Sequence, residues 1–470
     1  MTIIQHEISH VFPDLVTLPS KITMNYYHFT YSQDVIRLQS KYALFKRVLN
    51  ILFSLTFDEG FDEAIMRQAF EKLYERNDCL RLRFVKQGKE TMQYFEAERK
   101  PGEIPSLRLD TNRKYDAFFR RFRRKATDLA KGDALRVVFA VNPEGKQMII
   151  CKISHYAADT YGIGVLAEDL MTIYHALRDG KELPSAPGSF EEIIRKDNEY
   201  REDTAATERD RAYLYDYFFK LHPHHPVYCG THGNQNDRWL QCKRKGKFSI
   251  PMLMVRCDTY PIQFAVPAAV TAQAEKWCEE HAISLNSLFF MGFILTLSLI
   301  NDRETRLFNV EILNCRGSLA DRKTAGTKAQ GMGVCTDIDY SKGFLANATT
   351  LSEEQKELYR HTRLSYLEGE LMQHEAWKHP MIDMLSGSGF SYIPFYSHDG
   401  VALSLHSNGK GALITYVALM HDLTHNEIFV NYDLQKLMVT PKQIADFQNR
   451  YLRVLETVLA DSETPLNQLF

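Results

Sequence analysis

The chain has 470 residues, 44% of them hydrophobic and 12% aromatic, with 24 glycines and 16 prolines, which is the make-up of a folded globule and not of a disordered or fibrous chain. That length carries a prior of about three domains at roughly 150 residues each, or of two large lobes. Lys plus Arg number 57 against 59 Asp plus Glu, a net charge of −2 that offers no footprint for gripping a nucleic-acid backbone, and the 8 cysteines contain no Cys-x-x-Cys pair that would suggest a zinc knuckle.

Along the chain, Phe61, Ile65, Met66, Ala69, Phe70 and Leu73 recur at helical spacing and predict an amphipathic helix ending near Arg76. Leu80, Leu82 and Phe84 then alternate with Arg81 and Arg83, the pattern of a strand with one wet face. Residues 112–133 are basic, with Arg120, Arg121, Arg123, Arg124 and Lys125 in one cluster that reads as a solvated helix face. Two apolar runs, Leu135–Val141 and Met148–Ile153, flank the turn formers Asn142–Gly145 and predict a hairpin. Apolar residues from Ile163 to Leu177 predict a helix that Asp179-Gly180 stops. A polar stretch over 180–250 reads as a boundary, so the expected division is 1–185 and 186–470. The histidines 222, 224, 225 and 232 with Cys229 are interrupted by prolines and lack a zinc spacing, so no metal is expected.

The second half predicts helices over 270–282 and 286–300, the latter behind Ser284 as N-cap, and a strand over 306–313. A charged helix over 353–375, strands over 411–420 and 426–432 and a closing helix over 442–459 complete the reading. The apolar run ending at Ile300 is about 14 residues, too short for a bilayer, so no membrane span is expected. The opening residues 1–7 lack the regions of a signal peptide, which leads us to expect a cytoplasmic protein with reduced thiols.

Hydrolase elbows, Walker loops, dinucleotide fingerprints and His-Glu-x-x-His are all missing. His-x-x-x-Asp remains, at His10/Asp14, His155/Asp159, His175/Asp179 and His379/Asp383. With 17 histidines, and Asp at about one residue in twenty, roughly one match arises by chance. His175 falls at a helix end, and His10 and His379 sit beside prolines. Only His155 follows an apolar strand and precedes a helix start, where a loop holds a side chain rigidly at the edge of the scaffold. A neutral imidazole there suits general-base acyl transfer, with Asp159 orienting the loop through an arginine. A purely structural histidine is an equal reading on spacing and context alone.

The segment Ser154-His-Tyr-Ala-Ala-Asp-Thr-Tyr-Gly162 resembles the His-His-x-x-x-Asp-Gly motif of the condensation domains of nonribosomal peptide synthetases, within the chloramphenicol-acetyltransferase-like acyltransferases. Leu73–Phe84, Asp133–Arg136, Asn314–Gly317, Gly331–Thr336, Phe390–Ile393 and Asn431–Asp433 are similar to further family segments, in order, over nearly the whole chain. The resemblance implies an α/β (α+β) fold of two acyltransferase-like lobes in a V-shaped pseudo-dimer with a central tunnel, and a role as base or positioning group carried over to His155. Asp159 would be structural and paired with Arg316, with Arg303 and Arg306 as the other candidates. Ser154 stands for the motif's first histidine, Thr160 for its glycine and Cys335 for a later asparagine; Gly162 would loosen the loop in compensation. Ser154, Tyr156, Thr160, Cys335 and Ser391 are carried over as substrate-lining residues.

The implied activity is that of a free-standing, monomeric acyltransferase forming an amide or ester. The donor would be a phosphopantetheine thioester on an acyl or peptidyl carrier protein, and the acceptor a small amine or alcohol; no cofactor is permanently bound. A coenzyme-A-dependent acyltransferase, and a non-catalytic relative that binds carrier proteins, are the alternatives.

Overall fold

The computed structural model describes residues 26–42, 46–231, 233–234, 258–378, 388–411, 413 and 415–470. His10, Asp14, His232, His379, Asp383, Cys242 and Cys257 lie outside them. In chain order the elements are α1 (Tyr31–Tyr42), β1 (Asn50–Phe57), α2 (Glu63–Arg76), β2 (Leu82–Gln87), β3 (Glu90–Phe95), β4 (Ser106–Arg108), α3 (Asn112–Phe122), β5 (Leu135–Val141), β6 (Gln147–Ser154), α4 (Thr160–Asp179) and α5 (Phe190–Glu202). There follow α6 (Thr204–Asp216), β7 (Cys229–Gly230), β8 (Gly233–Asn234), β9 (Thr259–Ala265), α7 (Ala268–His281), α8 (Leu285–Ile300), β10 (Arg306–Leu313), α9 (Leu319–Arg322), β11 (Gln330–Asp337), α10 (Phe344–Tyr359) and α11 (Tyr366–Trp377). The chain closes with β12 (Ser388–Phe395), β13 (Val401–His406), β14 (Thr415–Asp422), β15 (Glu427–Gln435), α12 (Pro441–Ala460) and α13 (Leu466–Leu469).

Packing divides the chain into two units. The first takes the described residues up to Thr204 together with Asn314–Ala329 and Phe395–Asn408; the second takes Ala205–Leu313, Gln330–Pro394 and Gly409–Phe470. A single cut between 185 and 186 differs from this division because polar composition does not register packing. Phe190, Ile193 and Ile194 of α5 lie in the core of the first unit, and two segments from beyond residue 300 return to it.

The sheet of the first unit has the order β13-β1-β6-β5-β4, with β1 antiparallel to both neighbours and β5 and β6 forming the expected hairpin. Strand alternation gives it two apolar faces. Phe53, Leu55, Val137, Phe139, Ile149, Cys151 and Ile153 pack beneath α2 and α4, whereas Val138, Ala140, Met148 and Ile150 pack beneath the aromatic stripe Tyr115, Phe118, Phe119 and Phe122 of α3. The stop at the end of α4 is as read from the sequence: Gly180 adopts the left-handed conformation at φ 64°. Arg83, expected on a wet face, is buried instead, because it reaches the carbonyls of Ala130 and Gly132 and the Glu96 carboxylate at 3.3 Å.

In the second unit the order is β11-β10-β12-β14-β15-β9, with β10 and β12 parallel. α8 begins at Ser284, whose hydroxyl accepts from the Ser287 N–H at 3.0 Å, and is enclosed by apolar neighbours, with Phe290 stacked on Phe390 at 5.0 Å. Among the described residues no single helix is long and apolar enough to cross a membrane; α7 and α8 pass that test only as a pair, bent by 111°. The single charged helix expected over 353–375 is two helices, α10 and α11. The break at 360–365 holds no glycine or proline; there His361 stacks on Tyr213 at 3.9 Å and meets the Asp210 carboxylate at 2.9 Å, while the Ser365 hydroxyl accepts from the Leu367 N–H. His222 lies between Asp337 and Glu354, each 3.7 Å away; burial opposes its charge, and the two carboxylates outweigh it and raise its pKa.

Glu370 on α11 is 1% exposed and its Oε1 has no hydrogen-bond partner, so burial pushes its pKa from 4.5 up to about 8. Between these values the unfolded chain releases a proton that the folded chain keeps, so stability is full below the lower one and falls as pH rises towards the upper one. Glu370→Gln removes this loss. Its melting temperature at pH 8.5 is expected to exceed that of the parent by an amount worth roughly 1–4 kcal/mol, with little difference at pH 5. Parallel melting curves for the two proteins across that range would refute the assignment.

Candidate functional site

The last strand residues before His155 are buried, and the chain turns sharply after them: the Ser154 carbonyl accepts from the N–H groups of Ala157 at 2.9 Å and Ala158 at 3.2 Å. The His155 N–H donates to the Leu49 carbonyl at 2.7 Å, and its own carbonyl accepts from the Thr327 hydroxyl. Both backbone polar groups of this residue are therefore held by neighbouring segments. Its side chain keeps part of its surface exposed, but Nδ1 is enclosed and makes no hydrogen bond. Burial lowers the pKa of the ring from 6.5, against the pull of the His155 and Ala158 backbone and of Asp159. A pKa held below 6.5 favours the neutral form of the ring at pH 7.

Asp159 caps α4. Its Oδ1 accepts from the Gly162 N–H at 2.7 Å and Oδ2 from the N–H groups of Lys328 and Ala329, both at 2.8 Å. Arg316 donates to the same carboxylate in a bidentate fork, Nη1 to Oδ2 at 3.0 Å and Nη2 to Oδ1 at 3.1 Å. Burial raises the Asp159 pKa, but Arg316 and the backbone donors prevail, and the net direction is down. Arg316 also donates to the Asn314 and Gly326 carbonyls and lies over the Tyr161 ring at 4.8 Å. The other two arginines are elsewhere engaged, Arg306 with Asp337 at 2.7 Å and Arg303 with the Phe470 carbonyl.

Gly162 stands in the first turn of α4, where a Cβ would meet the Gly326 carbonyl oxygen at 2.6 Å and its nitrogen at 2.9 Å. Its role is close approach between two backbones and not loosening of a loop. Thr160 sits at the first helical position without a positive φ, so a β-branched residue is accommodated there. Gly326 has φ 130°, and a Cβ on it would collide with Phe190.

His155, Asp159, Gly162 and Arg316 are thus brought together within the first unit. Of the residues expected to line substrate, Thr160 opens α4 and the other four are buried. Tyr156 is buried against Phe84 at 5.0 Å and Phe29 at 5.8 Å, which makes it a core aromatic. Ser154 is buried at the end of β6 opposite Asn50. In the second unit Cys335 is buried in the core, its backbone bonded to the Tyr217 hydroxyl, and the Ser391 hydroxyl pairs with that of Tyr416 at 2.8 Å. Sequence reading missed Gly326, Thr327, Lys328 and Ala329, which act mainly through backbone groups that residue types do not advertise.

A family model for the condensation domain matches residues 24–470. The chain belongs to the condensation-domain family. As a family, condensation domains are acyl-transferring, amide-forming enzymes. Among curated relatives, this condensation domain is 22% identical over 328 residues to a plipastatin synthase of Bacillus subtilis (strain 168), covering 68% of this chain and 12% of that one. It is 20% identical over 354 residues to surfactin synthase subunit 1 of the same organism, covering 73% and 9%. The chain therefore spans only about a tenth of the length of these relatives. Its fold is that of the first condensation domain of the calcium-dependent antibiotic synthetase (TM-score 0.75, 15% identity, 94% of this chain and 98% of that one). It is likewise that of the starter condensation domain of rhizomide synthetase in complex with C8-CoA (TM-score 0.73, 16% identity, 98% and 99%).

Removing one partner of a buried pair leaves the other charge stranded. Asp159→Ala is expected to lower unfolding free energy by about 3–5 kcal/mol, measured by urea denaturation, and more than Arg316→Met, which leaves Asp159 its backbone donors. A loss below about 1 kcal/mol for the alanine variant would contradict the structural role.

Proposed function

We propose that this condensation domain forms an amide or ester by transferring an acyl group from a phosphopantetheine thioester to an amine or hydroxyl acceptor, with His155 as the catalytic residue. The observation that carries the reading is a partly exposed imidazole on a loop whose backbone is fixed on both sides and whose following turn is anchored by a buried ion pair. With Nδ1 enclosed in the protein, Nε2 is the nitrogen left to meet substrate, and its lone pair is available in the Nδ1–H tautomer.

In the proposed step the acceptor nitrogen or oxygen attacks the thioester carbonyl carbon. The new C–N or C–O bond forms, the C–S bond breaks, and the proton shed by the acceptor passes through Nε2 to the departing thiolate. For an ammonium acceptor, positioning and stabilisation of the developing charge outweigh proton removal. The donor is read as carrier-bound, and Asp159 and Arg316 as positioning residues. A coenzyme A thioester is the second reading, favoured by the likeness to a domain solved with C8-CoA.

His155→Ala is expected to reduce product formation by about 10²–10⁴-fold, followed by intact-mass detection on acyl-carrier and acyl-CoA donors, with an unchanged circular dichroism spectrum. Equal turnover by the two proteins would leave a carrier-binding role without catalysis. Because the ring titrates below 6.5, kcat/KM is expected to be level at and above pH 7 and to fall only on the acid side of that value; an acid limb centred above pH 7 would assign the titration to another group.

A further inference from the structure

Lys152 is buried in β6, three residues before His155, on the sheet face covered by α3. Its Nζ donates to the carbonyls of Phe122 at 2.7 Å and Lys125 at 2.8 Å and lies over the Phe122 ring at 4.5 Å. It thereby pins the end of α3 to the strand that leads into the catalytic loop. Asn50, directly across the sheet from Ser154, fixes the same segment: its side chain donates to the Lys125 carbonyl at 3.1 Å and accepts from the Thr127 N–H at 3.0 Å.

The surface over this anchor is strongly positive. Arg120, Arg121, Arg124 and Lys125 are exposed, as is Arg136, which lies opposite Lys152 in the β5–β6 register. Among the described residues none of them has a carboxylate within ion-pair distance: Lys114 takes Asp110, and Asp128 caps the Ala130 N–H. Burial, together with Arg136 and Lys125, lowers the Lys152 pKa to about 8. The charged groups around this lysine oppose its own charge, and burial of apolar area by α3 does not require it. The helix lays its aromatics on the sheet and leaves Arg113, Arg120 and Arg121 exposed over its length of about 16 Å, and Arg124 and Lys125 continue the charge just beyond its end.

We propose that Arg121, Arg124, Lys125 and Arg136, held by Lys152, form the docking surface for the carrier protein that brings the thioester, with the phosphate of its phosphopantetheine arm among the anionic groups they meet. The inference rests on the acyl-transfer reading above and names the face from which the donor arrives. Two features favour a carrier over free coenzyme A: the basic groups are carried by three separate pieces of chain, the end of α3, the turn after it and β5, and they are exposed. Lys152, the anchor beneath this surface, is three residues and about 10 Å along the strand from His155. Charge complementarity of this kind acts chiefly on association and is screened by salt.

The probe is a fluorescein-labelled carrier-protein domain of a nonribosomal peptide synthetase, with and without its phosphopantetheine, titrated with the full chain and followed by anisotropy. Arg121→Glu/Arg124→Glu/Lys125→Glu is expected to weaken binding of the loaded carrier at least tenfold, the corresponding glutamine variant by less, and both to flatten the salt dependence. His155→Ala is expected to bind as the parent does, so a failed catalytic reading and a failed docking surface give different results. Parent and charge-reversed proteins binding within twofold of each other, no binding by a folded parent, or equal affinity for a 20-base-pair DNA duplex would each overturn the proposal.

Discussion

Taking a carboxylate and a guanidinium out of water carries a penalty of several kcal/mol for each ion, and mutual attraction offsets it only when the remaining polar atoms also find partners. Asp159 and Arg316 meet that condition. The carboxylate collects backbone donors from Gly162, Lys328 and Ala329 besides the fork from Arg316, and the guanidinium also donates to two backbone carbonyls. The pair joins the start of α4 to a segment far away in sequence, and the loop carrying His155 leads directly into it. Geometry at the imidazole is inherited from this buried network.

Strongly periodic elements were legible in the sequence. α2, β5, β6, α4 and α12 announce themselves in the sequence, α4 also by its stop at Gly180. The sequence pattern did not reveal β1 or β13, whose neighbours in the sheet are supplied by distant parts of the chain. The break between α10 and α11 is set by the packing of His361 on Tyr213, a tertiary contact with no local sign. At the site, a motif and its context pointed to His155 and Asp159, and the resemblance to Arg316. The lining residues carried over with them were less legible, because alternation in a strand says which faces differ without saying which one meets substrate. Tyr156 and Cys335 both went to core packing.

The histidine and the lysine of β6 and its loop show how one strand sets opposite electrostatic demands three residues apart. His155 loses its charge to burial and is suited to accepting a proton. Lys152, though its pKa is also lowered, has two carbonyls at its ammonium and the negative end of a helix beside it, and so keeps a positive charge at neutral pH.

The return of residues 314–329 and 395–408 to the first unit has a consequence for biosynthesis. A ribosome that has released only the first two hundred residues has made most of that unit's sheet, but neither the strand that closes one edge of it nor the arginine that neutralises Asp159. Completion of this unit must wait for some two hundred further residues, a high-contact-order topology that leaves an open strand edge and an unpaired acid exposed while elongation proceeds.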